Sequence, residues 1–185
     1  MTVDEKIIQG CIAGKRRAQN QLYNTFASGM LGVCMRYCVS MDEAEDVLQE
    51  GFIKVFKYIK NYRSEGSFEG WIRRIMVNTA ITNYNKRSKV YHEEINENTL
   101  SSESESTGDE VYLPVEKETL MRLIQQMPEG YKMVLNLYVF EGYKHKEISG
   151  ILDISENTSK SQLSKARKYL RNEMMKLEKV KSLQY

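Results

Sequence analysis

An acidic stretch cuts this sequence in two. Residues 91–118 carry nine acidic side chains and one basic one, Lys117, for a net charge of −8, whereas residues 1–90 and 119–185 each carry +5. The stretch from Glu93 to Leu113, EEINENTLSSESESTGDEVYL, has sparse aliphatics and no helical period. It therefore predicts a disordered or loosely held linker, extended by repulsion between like charges. The 185 residues are then best divided into two lobes. Lobes of about 90 residues each bury only roughly 60–65% of their unfolded surface, so each is modestly stable. The acidic groups suit either a solvated tether or a segment that imitates nucleic acid in a partner's basic channel.

Several classes drop out. No run approaches the roughly 18 apolar residues of a spanning helix, so no direct membrane insertion is expected. Met1 to Ile12 contains Asp4 and Glu5 and lacks a long apolar core, unlike a secretory signal. Three cysteines are odd in number and too few for a disulfide scaffold, which points to a reducing, cytoplasmic setting. Two prolines and eleven glycines are few for an all-β chain.

The apolar residues recur at helical spacing. Ile7, Ile8, Cys11 and Ile12 form one set, and Leu22, Tyr23, Phe26, Met30, Leu31, Cys34 and Tyr37 a second. Asp42-Glu43-Ala44-Glu45 has the acidic first turn of a helix start, followed by a stripe of Val47, Leu48, Phe52, Val55, Phe56 and Ile59. The polar break Asn61 to Ser67 precedes another helix from Phe68 to about Arg87. Four helices around one core are expected for the first lobe.

The second lobe begins near Val115. Leu120, Leu123, Ile124 and Met127 line a short helix, and Pro128 starts the next, with an apolar face of Met133, Val134, Leu137 and Tyr138. Lys146 to Leu152 is a two-turn helix, Asp153-Ile154 a tight turn, and Ser155 the N-cap of a long last helix. This is the helix-turn-helix outline. On a helical wheel Ser159, Leu163, Ala166 and Leu170 face inward. Asn157, Thr158, Ser161, Lys165 and Lys168 face outward, with Lys160, Arg167 and Arg171 flanking. A small-polar, basic face can reach base edges and phosphates.

Residues 62–87 interleave Tyr62, Phe68, Trp71 and Tyr84 with Arg63, Arg73, Arg74, Lys86 and Arg87. Cations suit phosphates, and aromatic faces suit unstacked bases at roughly 1–3 kcal/mol per stack. Asn78 has the amide to read a base edge. Trp71, Ile72, Ile75, Met76 and Thr79 also lie at core spacing, so Trp71 fits the core better than a base platform, and Tyr62 is the better stacking candidate. Cys34 and Cys38, one helical turn apart, read as buried thiols, since a metal would need two further ligands. No catalytic nucleophile with a base, no metal set and no cofactor loop is evident, so no enzyme activity is expected.

Two blocks resemble a known family. Asp42 to Phe56 with Phe68 to Asn78 resembles region two of sigma-70-type sigma factors, and Met127 to Leu170 resembles their region four. The two regions with only a short linker between them resemble the extracytoplasmic-function (ECF) group. The resemblance implies an all-α chain of two small helical domains joined by an acidic flexible linker: region two over 1–90, the linker over 91–115, and region four over 116–185. It implies a cytoplasmic initiation subunit that binds core bacterial RNA polymerase, through its largest and second-largest catalytic subunits, and promoter DNA, and starts transcription of a specific gene set. Asp46, Gln49, Glu50 and Phe52 correspond to the polymerase-docking helix. Tyr62, Arg63, Phe68, Arg73, Arg74 and Asn78 correspond to promoter melting and the downstream element, with Tyr62 and Asn78 in the pocket for a flipped base. Lys160, Ser161, Ser164 and Lys165 match base-facing positions at the upstream element, and Thr158 and Arg167 match backbone contacts. An anti-sigma factor covering both lobes is a further partner that the family implies.

The chain departs from the family pattern in places. Lys144 stands where a Ser or Thr usually caps the first helix of the motif, a local loss of about 1 kcal/mol. Asp153 replaces the turn glycine but tolerates a left-handed backbone. Ser159 replaces an inward apolar residue, and Gln162 a common Arg. Ile81 to Tyr84 is offset by one residue from the family pattern, which removes a clear role for Tyr84. Two other classes fit the residues less well: a polymerase-independent helix-turn-helix regulator, which would have to dimerise on a palindrome, and a helical adaptor that never touches DNA.

Overall fold

A computed structural model describes residues 5–94 and 116–182. All regular elements among the described residues are helical, as expected of an all-α chain. The chain divides into two compact units, Met1–Val90 and Tyr91–Tyr185. The acidic segment expected as the linker lies outside the described residues from position 95 onward.

In the first unit, α1 (Glu5–Ile12) ends where Gly14 adopts φ +71°. The Lys15 N–H then donates to Gly10 O at 2.9 Å and the Gly14 N–H to Cys11 O at 3.0 Å, the paired bonds of a Schellman stop. α2 (Arg16–Met35) lies close against α1: a Cβ on Gly10 would sit 2.7 Å from Ala18 Cβ. α2 buries Leu22, Phe26, Met30, Val33 and Cys34. Tyr23 and Leu31, expected on the same face, are partly exposed.

α3 (Met41–Tyr58) carries Asp42 and Glu43 in its first turn, as expected. Its N-cap is Ser40, whose Oγ accepts the Glu43 N–H at 3.2 Å, while the Glu43 carboxylate accepts the Val39 N–H at 2.8 Å. A 3-10 turn (Ile59–Asn61) leads into the polar loop. α4 (Phe68–Glu94) is preceded by Ser67, whose Oγ accepts the Gly70 N–H at 3.0 Å, and runs past the expected end near Arg87. α4 contributes Phe68, Ile72, Met76, Val77, Ala80 and Ile81 to the core. Gly51 on α3 lets Met76 approach, because a Cβ there would collide with the Met76 thioether. Polar groups also tie α3 to α4. Glu43 pairs with Arg87, Lys54 Nζ donates to the buried Thr79 Oγ1 at 3.2 Å, and Asn83 Nδ2 donates to Glu50 at 3.3 Å.

In the second unit α5 (Lys117–Gln125), α6 (Glu129–Leu135), α7 (His145–Leu152) and α8 (Glu156–Ser182) follow in order. α5, α6 and α7 all pack on α8. Leu123, Ile124, Met127, Met133, Val134, Leu137, Ile148, Leu152, Leu163 and Ala166 form the core. Tyr138, expected on the α6 face, is exposed instead. Residues Asn136–Phe140 form a π turn, closed by the Glu141 N–H on Asn136 O at 3.1 Å. The wider turn breaks the 3.6-residue register and moves Tyr138 off the apolar face. Asp153 adopts φ 55°, ψ 47°, so the tight turn closes without glycine. Among the described residues no helix is long and apolar enough to cross a membrane.

Candidate nucleic-acid interface

In the first unit the loop after α3 is shaped by one tyrosine. The Tyr62 hydroxyl donates to Gly66 O at 2.7 Å, folding residues 62–66 into a tight loop in which Ser64 sits at φ 57°. The Tyr62 ring meets Phe68 edge-on at 4.9 Å and lies 5.6 Å from Trp71. Phe68 stacks on Trp71 at 5.6 Å and meets Phe26 of α2 at 6.1 Å.

Phe68 is only 7% exposed. This corrects its expected DNA contact: it is the floor on which Tyr62 and Trp71 stand, because a ring pinned by three others contributes most by burial. Tyr62 and Trp71 are half-buried, so each retains an open side. Trp71 is thus less buried than its core spacing suggested. Trp71, Arg74 and Asn78 follow at i, i+3 and i+7 on α4, and share one face. Arg63, Arg74 and Asn78 are exposed and Arg73 is half-buried.

On α3, Asp46 and Gln49 are exposed, and Glu50 is half-buried and ion-paired to Lys54 at 2.8 Å. The hydrogen bond from Lys54, helped by Asn83, holds the Glu50 carboxyl below its ordinary pKa. Phe52 was expected on the docking face, yet it is 3% exposed and packs on Tyr23 at 4.7 Å and Phe56 at 6.1 Å. It is a core residue. The exposed apolar neighbour is Ile53, 68% exposed, on the stripe of Asp46 and Gln49. Sequence reasoning missed it, although the i, i+3, i+7 spacing from Asp46 was available.

In the second unit, Ser155 Oγ accepts the Thr158 N–H at 2.9 Å and lies 2.8 Å from Thr158 Oγ1, which caps α8 as expected. At α7, Lys144 offers no side-chain acceptor, but its N–H donates to the Glu147 carboxylate at 2.8 Å, half of a capping box. Ser159, Leu163 and Ala166 are buried, whereas Lys160, Ser164, Arg167 and Lys168 are exposed. Thr158, Ser161 and Lys165 are half-buried on the same outward side. Lys160 pairs with Glu156 at 3.0 Å, and Ser161 Oγ donates to Thr158 O at 3.0 Å. Ser159 Oγ is 2.9 Å from His145 Nδ1, and His145 stacks on Tyr138 at 4.7 Å, with Arg167 over the Tyr138 ring at 6.0 Å.

The three cysteines are free thiols in the core, and burial pushes the Cys34 thiol up to about 12. Among the described residues no group of three or more His, Cys, Asp or Glu is placed to hold a metal ion.

Two family models match: Sigma-70 region 2 over residues 22–90, and Sigma-70, region 4 over residues 117–170. The chain belongs to the sigma-70 family. Within the family it is similar to the ECF RNA polymerase sigma-E factor of Haemophilus influenzae, with 29% identity over 189 residues, 94% of this chain and 96% of that protein. It is also similar to the RNA polymerase sigma-H factor of Pseudomonas aeruginosa, at 27% over 175 residues, 89% and 90% of the two chains. These place it in the ECF branch. Among solved structures it is similar to the Bartonella quintana sigma factor RpoE in complex with the anti-sigma factor NepR, at 15% identity and a TM-score of 0.47, covering 83% of this chain and 94% of that one. It is also similar to CnrH in complex with the cytosolic domain of CnrY, at 16% identity and a TM-score of 0.48, covering 92% and 96%.

Proposed function

We propose that this sigma-70-family chain binds core bacterial RNA polymerase in the cytoplasm, gives it promoter choice, and takes part in opening the promoter without itself catalysing a covalent step. The observation that carries this reading is the presence, in one chain and in family order, of an aromatic–basic loop and an outward basic helix-turn-helix face. In this reading residues 1–90 hold the polymerase and the downstream (−10) element, residues 116–185 read the upstream (−35) element, and residues 91–115 connect them.

Tyr62 and Trp71, standing on Phe68, offer stacking surfaces for an unpaired base. Asn78 offers amide recognition on the same face as Trp71, and Arg63, Arg73 and Arg74 neutralise nearby phosphates. Lys160, Ser161, Ser164 and Lys165 face bases, and Thr158 and Arg167 hold the backbone. Asp46, Gln49 and Glu50, joined by the exposed Ile53 in place of Phe52, form the polymerase-docking stripe. An anti-sigma factor is a further proposed partner, as for the relatives whose complexes are named above.

Energetics require a large partner. Melting about ten base pairs costs on the order of 14 kcal/mol at roughly 1.4 per step. One captured base and a few stacks return only a few of these. Polymerase must supply the rest and hold both contacts at once, which turns two weak contacts into an avid one.

The test is permanganate reactivity of unpaired thymines across a promoter library, with core polymerase in the presence and absence of this chain. Sequence-selective reactivity only when both are present is the expected result. DNA retained by the chain alone, with no melting, would establish a polymerase-independent regulator instead.

A further inference from the structure

Three elements of the second unit meet at one imidazole. His145 opens α7, its ring stacks on Tyr138 of the π turn, and its Nδ1 is 2.9 Å from Ser159 Oγ on α8. Ser159 is fully buried on a face otherwise built from Leu163 and Ala166. A buried hydroxyl needs a partner, and His145 is the partner. The charged groups around the ring are Lys160, Glu156 and Arg167 of α8, with Lys144, Lys146 and Glu147 flanking it on α7; the π turn presents Tyr138. Lys160 and Arg167 also belong to the face assigned above to DNA.

We propose that His145 is a positioning residue for α8 whose protonation is linked to DNA binding. The neutral ring seats α8 through Ser159, and it takes up a proton when phosphates engage Lys160 and Arg167. This rests on the promoter-recognition reading.

In the free chain, burial first and then Lys160 hold the imidazole below the ordinary histidine pKa. A phosphate on Lys160 or Arg167 cancels their positive field and adds negative charge, so the imidazolium becomes favourable. The seat survives the change, because a serine hydroxyl accepts from Nδ1–H as well as it donates to Nδ1. The bound state then holds more protons than the free state, and affinity rises as pH falls through the histidine range. Folding stability has the opposite sign. A histidine depressed in the folded state contributes stability above its ordinary pKa, and that contribution is lost as pH falls through the depressed value. One residue thus moves two observables in opposite directions, which a purely structural histidine would not.

The experiment uses holoenzyme, core polymerase with the full chain, and a duplex carrying the upstream element selected from a promoter library. From about pH 8 to about pH 6 the dissociation constant should tighten roughly three- to tenfold more for the natural chain than for His145→Gln. The glutamine retains an acceptor for Ser159, and each protein's change is referred to its own affinity at the higher pH. Parallel pH profiles would overturn the inference while leaving the promoter reading intact. If no element is selected at all, both fall. A second measurement needs no variant. His92 is the one other histidine, so the His145 ring proton can be followed by NMR in the full chain. Its titration midpoint should rise when the selected duplex is added, and an unmoved midpoint would overturn the linkage.

Discussion

Phe52 and Ile53 are neighbours in sequence with opposite environments, and they separate stability from docking. Phe52→Ala removes a buried ring that touches Tyr23 and Phe56 and should cost about 3–5 kcal/mol of stability, read as a lower urea midpoint. Ile53→Asp changes a side chain that is 68% exposed. It should leave the midpoint within about 0.5 kcal/mol while weakening core-polymerase binding in a pull-down titration. Equal polymerase affinity for Ile53→Asp and the natural chain would remove Ile53 from the docking stripe. Lys165→Ala should cost roughly 1–3 kcal/mol at one position of the upstream element, measured as a changed preference in competition between duplexes; a loss equal on every duplex would place Lys165 on phosphate. Asn78 is exposed on the Trp71 face, and the proposed function gives it a part in opening. Asn78→Ala should slow permanganate-detected melting on duplex promoter, yet have little effect on closed-complex binding. Unchanged opening on both a duplex and a pre-melted bubble would end its pocket assignment.

At the element scale, the caps decide where the motif helices begin. α7 holds its first turn through the Glu147 carboxylate, while α8 depends on the Ser155 hydroxyl. Ser155→Ala should therefore cost about 1 kcal/mol and speed hydrogen exchange at the Thr158 amide; unchanged exchange there would show that the turn itself sets the start of α8. Most element identities were legible in the sequence because each helix buries a stripe at helical spacing. The acidic first turn of α3 at Asp42 and Glu43 was legible, whereas its cap, Ser40, was not singled out. Ser40 Oγ accepts the Glu43 N–H, and the Glu43 carboxylate returns a bond to the Val39 N–H. The π turn was not legible, since one wide turn leaves no mark in the apolar pattern before Gly142.

For the whole molecule, each unit carries its own buried core, and avid binding requires both on one chain. Cleavage at a protease site inserted within residues 95–115 should leave the helical circular dichroism signal nearly intact. It should nevertheless abolish promoter melting with core polymerase, because the second contact is no longer intramolecular. Melting that persists at full rate after cleavage would show that polymerase alone fixes the two units.

Charge segmentation and apolar periodicity are local properties, and they determined the helical class, the two-lobe division and the basic outward face of α8. Tertiary packing alone decided which aromatics and polar groups are available. Phe68 lies under Tyr62 and Trp71, Phe52 turns inward while Ile53 stays out, and Ser159 is buried with His145 as its partner. The physical reason is that a helical stripe states which side of a helix is apolar. How far a ring on its edge is covered, and which group satisfies a buried hydroxyl, depends on side chains that arrive from other helices.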